Sequence, residues 1–348
     1  SHADNYRKIA HKINERDDVG LVCIQHEFGL FGGVYGEYLL GFLLALDKPV
    51  ITVFHSVIPN PSKKRKIIVQ TINNLSDKII VLTDNSKDLL MQDYRCSKTK
   101  IKVIPHGTHT VLWDEKEKRK LKLNYEGKTI LSTFGLMSAN KSIETVLHAL
   151  PKIVSKHPEI RYLVIGKTHP EVVKKEGEKY RNTLKNLVKK LDLESHVVFI
   201  DCYLKLKQLL DYLTLSDIYL FTSKDPHQAV SGTLCYAMAC GCAVIANPIP
   251  HAQEIVHKDT GILLEEFDNT SAFQKAITEL LDDKQRQLEL SKNAFSKSQE
   301  NAWENTAIQY GLVFGELTNR TEDLRFNLPP IKLDHIKALT TDVGILQF

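Results

Sequence analysis

Residues 216–256, SDIYLFTSKDPHQAVSGTLCYAMACGCAVIANPIPHAQEIV, constrain the fold more than any other stretch of this chain. A short apolar run at 218–221 has the length of a buried strand and polar residues on both sides. After a loop holding Pro226, Ser231-Gly232-Thr233 opens a helical run that Gly241 closes, and a second apolar run at 243–246 stops at Asn247-Pro248. Strand, loop, helix, glycine, strand is a βαβ unit, which commits the chain to a parallel sheet with right-handed crossovers. The helix begins where its first backbone N–H groups lack partners, and Gly232 presents no Cβ, so Ser231, Gly232 and Thr233 form a candidate anion site.

The same alternation runs through the rest of the sequence. Strands are predicted at 21–24, 49–54, 78–82 and 101–104, then at 129–134, 161–165, 197–200, 218–221, 243–246 and 262–264. Helices are predicted at 6–16, 35–46, 63–75, 86–92, 142–156, 180–191 and 301–317. The charged, apolar-poor stretch 108–128 reads as a linker. The expected organisation is an N-terminal α/β domain at 1–110, a linker at 111–128, a second α/β domain at 129–299, a crossover helix at 300–320 and a tail or start of a further module at 321–348.

In parallel α/β sheets, active groups lie beyond the carboxyl ends of the strands. His26, His55 and His106 each fall at or just after the end of a predicted strand, which makes one rim of the first sheet a candidate site. A zinc site is the competing reading of these histidines, and no tight His or Cys spacing supports it. Gly135 and Lys141 follow the first strand of the second domain.

Composition narrows the class. With 43% hydrophobic and 25% charged residues the chain has the make-up of a soluble globular protein, and a net charge of +4 on 348 residues gives no reason to expect a nucleic-acid partner. No apolar run approaches the roughly 20 residues of a membrane span. Six cysteines with no CxxC spacing, most inside apolar runs, predict buried reduced thiols and a cytoplasmic location. The basic clusters at 63–66 and 116–122 read as solvated surface, with peripheral contact to anionic lipid headgroups as the functional alternative.

Several of these motifs together resemble the donor-binding half of retaining glycosyltransferases of family 4, which have the GT-B fold. Ala237-Met238-Ala239-Cys240-Gly241, Ala243-Val244-Ile245 and Glu254-Ile255-Val256 match that pattern, whereas the two carboxylates eight apart that precede it are here Gln228 and Tyr236. Gly135-Leu136-Met137-Ser138-Ala139-Asn140-Lys141 resembles the family segment whose Arg and Lys hold the donor diphosphate, with Leu136 at the arginine position. His26-Glu27 resembles the family His-Glu-Pro, and Val103-Ile104-Pro105-His106-Gly107 resembles its interdomain segment.

The resemblance implies two Rossmann-like domains facing across a cleft and transfer of a sugar, with retention and without a metal or other cofactor, from a nucleotide-diphosphate sugar to a glycan or other hydroxyl acceptor. It implies that His26 and Lys141 act in catalysis and that Gly135, Gln228, Ser231, Gly232, Thr233, Tyr236 and Glu254 bind the donor. His55, His106 and Gly107 then line the cleft and hinge. Relatives with this fold carry an earlier strand and a Gly-rich acceptor loop, so the N-terminal domain is expected to be incomplete, and residues 325–348 to begin an additional C-terminal domain. The competing readings are an inactive GT-B carbohydrate- or nucleotide-binding module of a larger protein and a GT-B sugar phosphorylase.

Overall fold

A computed structural model describes residues 2–318. Its contacts divide the chain into two compact units, one gathering residues up to Gly107, His227–Val230 and the helix Trp303–Thr318, the other holding Thr108–Pro226 and Ser231–Ala302. Residues 325–348, expected to begin a further module, lie outside the described residues.

The first unit is built on four parallel strands, β1 (Val22–His26), β2 (Val50–Phe54), β3 (Lys78–Val81) and β4 (Ile101–Val103), in the order β1-β2-β3-β4. β2 and most of β3 are buried, as expected of parallel strands covered on both faces. On one face Val50, Phe54, Ile79 and Val81 pack with Leu39, Phe42, Ile68 and Ile72. On the other, Ile51, Val53, Ile80 and Ile104 meet Val313, Tyr310 and Phe314 of the helix Trp303–Thr318. Gly107 lets that helix approach: a Cβ there would lie 2.2 Å from Cε3 of Trp303.

The second unit carries six parallel strands, β5 (Thr129–Phe134), β6 (Ile160–Ile165), β7 (Val197–Ile200), β8 (Ile218–Phe221), β9 (Ala243–Ala246) and β10 (Gly261–Leu263), in the order β10-β9-β8-β5-β6-β7. Read from β5 outward, the chain first fills one side of the sheet and then returns past β5 to fill the other. The reversal falls between β5 and β8, which pair at Leu131–Ile218 and Ser132–Tyr219. Loops leaving neighbouring strands at such a switch point diverge to opposite faces and open a crevice at their carboxyl ends.

The helix after β8, Gly232–Ala239, stops as its sequence predicts. Gly241 has φ 74°, its N–H donates to the Met238 carbonyl (3.0 Å), and the Cys242 N–H donates to Ala237 (3.1 Å). This is the left-handed glycine cap that ends many helices.

One stretch differs from its sequence reading. The expected linker contains a helix, Lys116–Lys122, counted within the second unit. Lys120 is buried against Asp217 at 2.9 Å, while Arg119 and Lys122 reach Asp211 at 3.1 and 2.8 Å. Its charges are satisfied by acids about ninety residues away, so a low apolar content does not mark it as solvent-exposed.

Candidate functional site

In the first unit the three histidines stand along one end of the sheet. His26 is the last residue of β1, His55 follows β2 directly, and His106 lies beyond β4. The His55 ring bonds the Gln25 side chain at 2.7 Å, and the His55 N–H donates to the His26 carbonyl at 3.1 Å. His106 Nδ1 lies 2.8 Å from the Gly107 carbonyl, with its ring 5.9 Å from that of Trp303. His26 itself is fully buried, with ring centroids of Phe54, Phe28 and Phe31 at 4.8, 5.3 and 5.9 Å. Neither of its ring nitrogens has a hydrogen-bond partner among the described residues.

Burial, with the neighbouring His55 adding to it, pulls the His26 pKa down to about 4, and burial together with His106 does the same to His55. Burial also lowers His106. All three rings are therefore neutral at pH 7. Among the described residues no group of three or more His, Cys, Asp or Glu side chains is placed to hold a metal ion.

The histidines make stability pH-dependent with a defined sign. A ring that titrates near 4 when folded and near 6.5 when unfolded takes up protons preferentially in the unfolded chain between those values. Stability is therefore complete above pH 6.5 and falls as the solution is acidified toward pH 4. For His26 the expected loss is up to about 2 kcal/mol by pH 5. Urea unfolding at pH 7 and pH 5 measures it, and His26→Phe should shrink the difference by about that amount while His55 keeps its own share; an equal drop in both proteins would remove His26 as a source.

The second unit gathers the other candidate residues at its switch point. The loop after β5 passes through Gly135 at φ 141°, with its N–H on the Ile165 carbonyl at 3.0 Å. A Cβ at Gly166 would sit 2.2 Å from the Gly135 carbonyl oxygen, so the residue just after β6 is glycine (φ 126°) where the two segments press together. Around Gly135, the Thr233 methyl carbon and the Lys141 ammonium lie 3.5 and 3.8 Å from where a Cβ would be. Gly135, Lys141 and Thr233 are thus one cluster, made by the first strand's loop and the start of the Gly232–Ala239 helix.

Lys141 is held by its backbone. Its carbonyl accepts from the Thr222 hydroxyl, Lys224 N–H donates to Asn140 (2.9 Å), and Ser142, left-handed at φ 46°, donates its hydroxyl to Asp268. Burial lowers the Lys141 pKa and Asp225 partly offsets this, yet the ammonium has no hydrogen bond or ion pair among the described residues. A desolvated cation without an anion is costly unless a ligand supplies one. The cavity beside it, lined by Phe134, Gly135, Met137 and Lys141, has a volume of about 10 Å³. That is the space of one water, so a nucleotide would have to lie outside it.

At the helix start, Ser231 is a built N-cap: its hydroxyl accepts from the Leu234 N–H at 3.3 Å and lies 3.1 Å from the Thr233 hydroxyl. Its own N–H, counted in the sequence reading as an anion donor, is taken by His251 Nδ1 at 2.8 Å. The half-buried Gly232 and Thr233 carry the amides that the first turn of a helix leaves without backbone partners. Tyr236, one turn further, is buried in the core of the unit with its ring 5.6 Å from His109. Glu254 lies in the last turn of a six-residue helix, Pro250–Ile255, not near a helix start, so the macrodipole gives no reason for an acid there. Gln228 falls in the first unit, its amide on the Val230 carbonyl at 3.1 Å.

Residues that the sequence did not single out hold this site together. Arg181, 1% exposed, donates to the Gly166 carbonyl at 2.8 Å and to Asp201 at 3.0 Å, which ties the ends of β6 and β7. His251 and Thr222 hold the two loops. A buried arginine or histidine inside a helical pattern carries no sequence signal of the carbonyl or amide it will meet.

Residues 114–297, slightly more than half of the chain, match the family described as glycosyl transferases group 1, and residues 6–112 match glycosyltransferase family 4. The chain belongs to the group 1 glycosyl transferases. Among relatives of this glycosyl transferase chain, the spore coat protein SA of Bacillus subtilis is 24% identical over 66% of this chain and 62% of its own length. The D-inositol 3-phosphate glycosyltransferase of Rhodococcus jostii is 23% identical over 81% of this chain and 66% of its own. The chain therefore spans less than two thirds of the length of these curated relatives. Among solved structures, Anabaena HepE in complex with UDP superposes with a TM-score of 0.73 at 18% identity, over 89% of this chain and 82% of HepE. Its two parallel-sheet α/β units are those of the GT-B fold. Among the described residues no helix is long and apolar enough to cross a membrane, and all six cysteines are free.

Proposed function

We propose that the protein containing this chain transfers a sugar, with retention, from a nucleotide-diphosphate sugar to a hydroxyl acceptor such as a glycan, and that positive charge from the protein itself takes the role a metal ion plays elsewhere. The observation that carries this reading is the cluster of the Lys141 ammonium, which lacks an ion pair among the described residues, with Gly135 and the first-turn amides of Gly232 and Thr233. Breaking a sugar–phosphate bond leaves negative charge on the departing diphosphate, and a cation with preorganised N–H dipoles stabilises charge that develops there. Glu254, an acid with no macrodipole reason for its place, is the candidate acceptor for donor-sugar hydroxyls, with Gln228 and Tyr236 replacing the acids of the family pattern. His26, neutral at pH 7 and fully buried among Phe28, Phe31 and Phe54, offers no strong base, and the reading does not rest on it.

Leu136 in place of a second cation favours one alternative, a module that binds the donor without transferring the sugar. A thermal-shift screen against UDP-, GDP- and ADP-sugars, followed by product analysis with an acceptor panel, separates the two. A cognate donor at a hundred times its Kd adds about 2.7 kcal/mol and should raise Tm by about 5–10 °C. Binding with an α-linked product from an α-linked donor supports retaining transfer, and turnover that survives EDTA supports metal independence. Binding without turnover on any acceptor favours the inactive module. No shift with any nucleotide sugar would sink both.

A further inference from the structure

We infer that His251 is a positioning residue for the diphosphate turn, holding Ser231 so that the amides of Gly232 and Thr233 stay free for the ligand. This rests on the reading that the turn binds a nucleotide diphosphate. His251 is 3% exposed, and its Nδ1 accepts from the Ser231 N–H at 2.8 Å. An imidazole nitrogen that accepts carries no proton, so the ring is the Nε2–H tautomer. Nε2 lies 3.9 Å from Cys235 Sγ, one turn into the same helix, and donates toward it. The ring therefore grips the helix Gly232–Ala239 at two points: the amide of its N-cap and a side chain on its first turn.

The geometry assigns a division of labour within Ser231-Gly232-Thr233. The Ser231 hydroxyl caps Leu234, its amide is committed to His251, and the next two amides are left. Without an acceptor at His251, the Ser231 N–H would be a buried donor lacking that partner. The turn would then relax toward water or toward the ligand's own oxygens, and the half-buried Gly232 would lose its fixed approach to a phosphate. His251 comes to this turn from the first turn of the helix Pro250–Ile255, which follows β9, the strand beside β8, so the neighbouring crossover sets the geometry of the first.

The test is calorimetric titration of UDP, GDP and ADP, each paired with its nucleoside, into wild type and variants, with melting of the unliganded proteins. His251→Phe fills the volume without an acceptor and should weaken the cognate diphosphate tenfold or more. His251→Asn puts a carbonyl oxygen near the place of Nδ1 and should stay within threefold of wild type, whereas His251→Gln, which reaches too far, should not. Should His251→Phe fail to fold, the Asn and Gln variants decide alone. Diphosphate affinity within twofold of wild type in His251→Phe, Asn no better than Gln, or a parallel loss for nucleoside and diphosphate would each overturn the inference. Wild-type protein that binds none of the three diphosphates would instead overturn the functional reading beneath it.

Discussion

Replacing Arg181 by methionine should lower the free energy of unfolding by about 2–4 kcal/mol at pH 7. The side chain is 1% exposed and bonds the Gly166 carbonyl at 2.8 Å, the Thr168 hydroxyl and Glu178 at 3.2 Å each, and Asp201 at 3.0 Å. Removing one partner of a buried ion pair commonly costs about 3–5 kcal/mol, because the remaining charge is stranded. Here the stranded acids are 47% and 44% exposed and can rehydrate, which trims the penalty. What cannot rehydrate as easily is the Gly166 carbonyl, on the residue whose backbone presses against Gly135. The effect should therefore spread to ligand binding at Gly135. Arg181→Lys keeps the charge but loses the planar fork that spans carbonyl and carboxylate, and should recover less than half of the loss. Urea denaturation of the three proteins measures this, and a loss below about 1 kcal/mol for Arg181→Met would show that the network adds little to the backbone pairing of β6 with β7.

The case of Arg181 also shows where the sequence stops being readable. The strand bounds at 129–134, 197–200, 218–221 and 243–246 coincide with β5, β7, β8 and β9 because short apolar runs flanked by polar residues or glycine leave little freedom of register. Gly241 was legible as a helix stop for an equally local reason. Long-range polar pairing was not. Lys116–Lys122 looks like a solvated linker until Asp211 and Asp217 are seen beside it. Ser231 looks like a free anion donor until His251 is seen on its amide. Strand-end position placed His26 on a rim, but its pocket is set by Phe28, Phe31 and Phe54 closing around it, and no spacing rule encodes that closure. Local pattern reports backbone course, and tertiary contact decides which polar atoms remain available for chemistry.

Lys141 is where availability and function should be most directly linked. In the proposed reaction Lys141→Met should lower kcat/KM by about 10²–10³-fold, the usual loss when one preorganised donor to developing charge is removed. The same substitution should leave the unliganded protein as stable as wild type or more stable. The ammonium is desolvated, which lowers its pKa, and among the described residues no carboxylate forms an ion pair with it. Folding therefore carries the cost of a half-buried charge that Asp225 offsets only in part and a ligand would repay more fully. Opposite signs for activity and stability distinguish a functional lysine from a structural one, since a structural lysine would lose both together. Nucleotide affinity should follow activity, with Lys141→Arg retaining part of it because the longer guanidinium must fit beside Gly135 and Thr233. Steady-state kinetics with the cognate donor, read beside melting of the unliganded variants, settles the matter. A Lys141→Met protein that melts several degrees lower yet binds nucleotide as wild type would assign the lysine to the scaffold and leave the diphosphate charge to the helix amides alone.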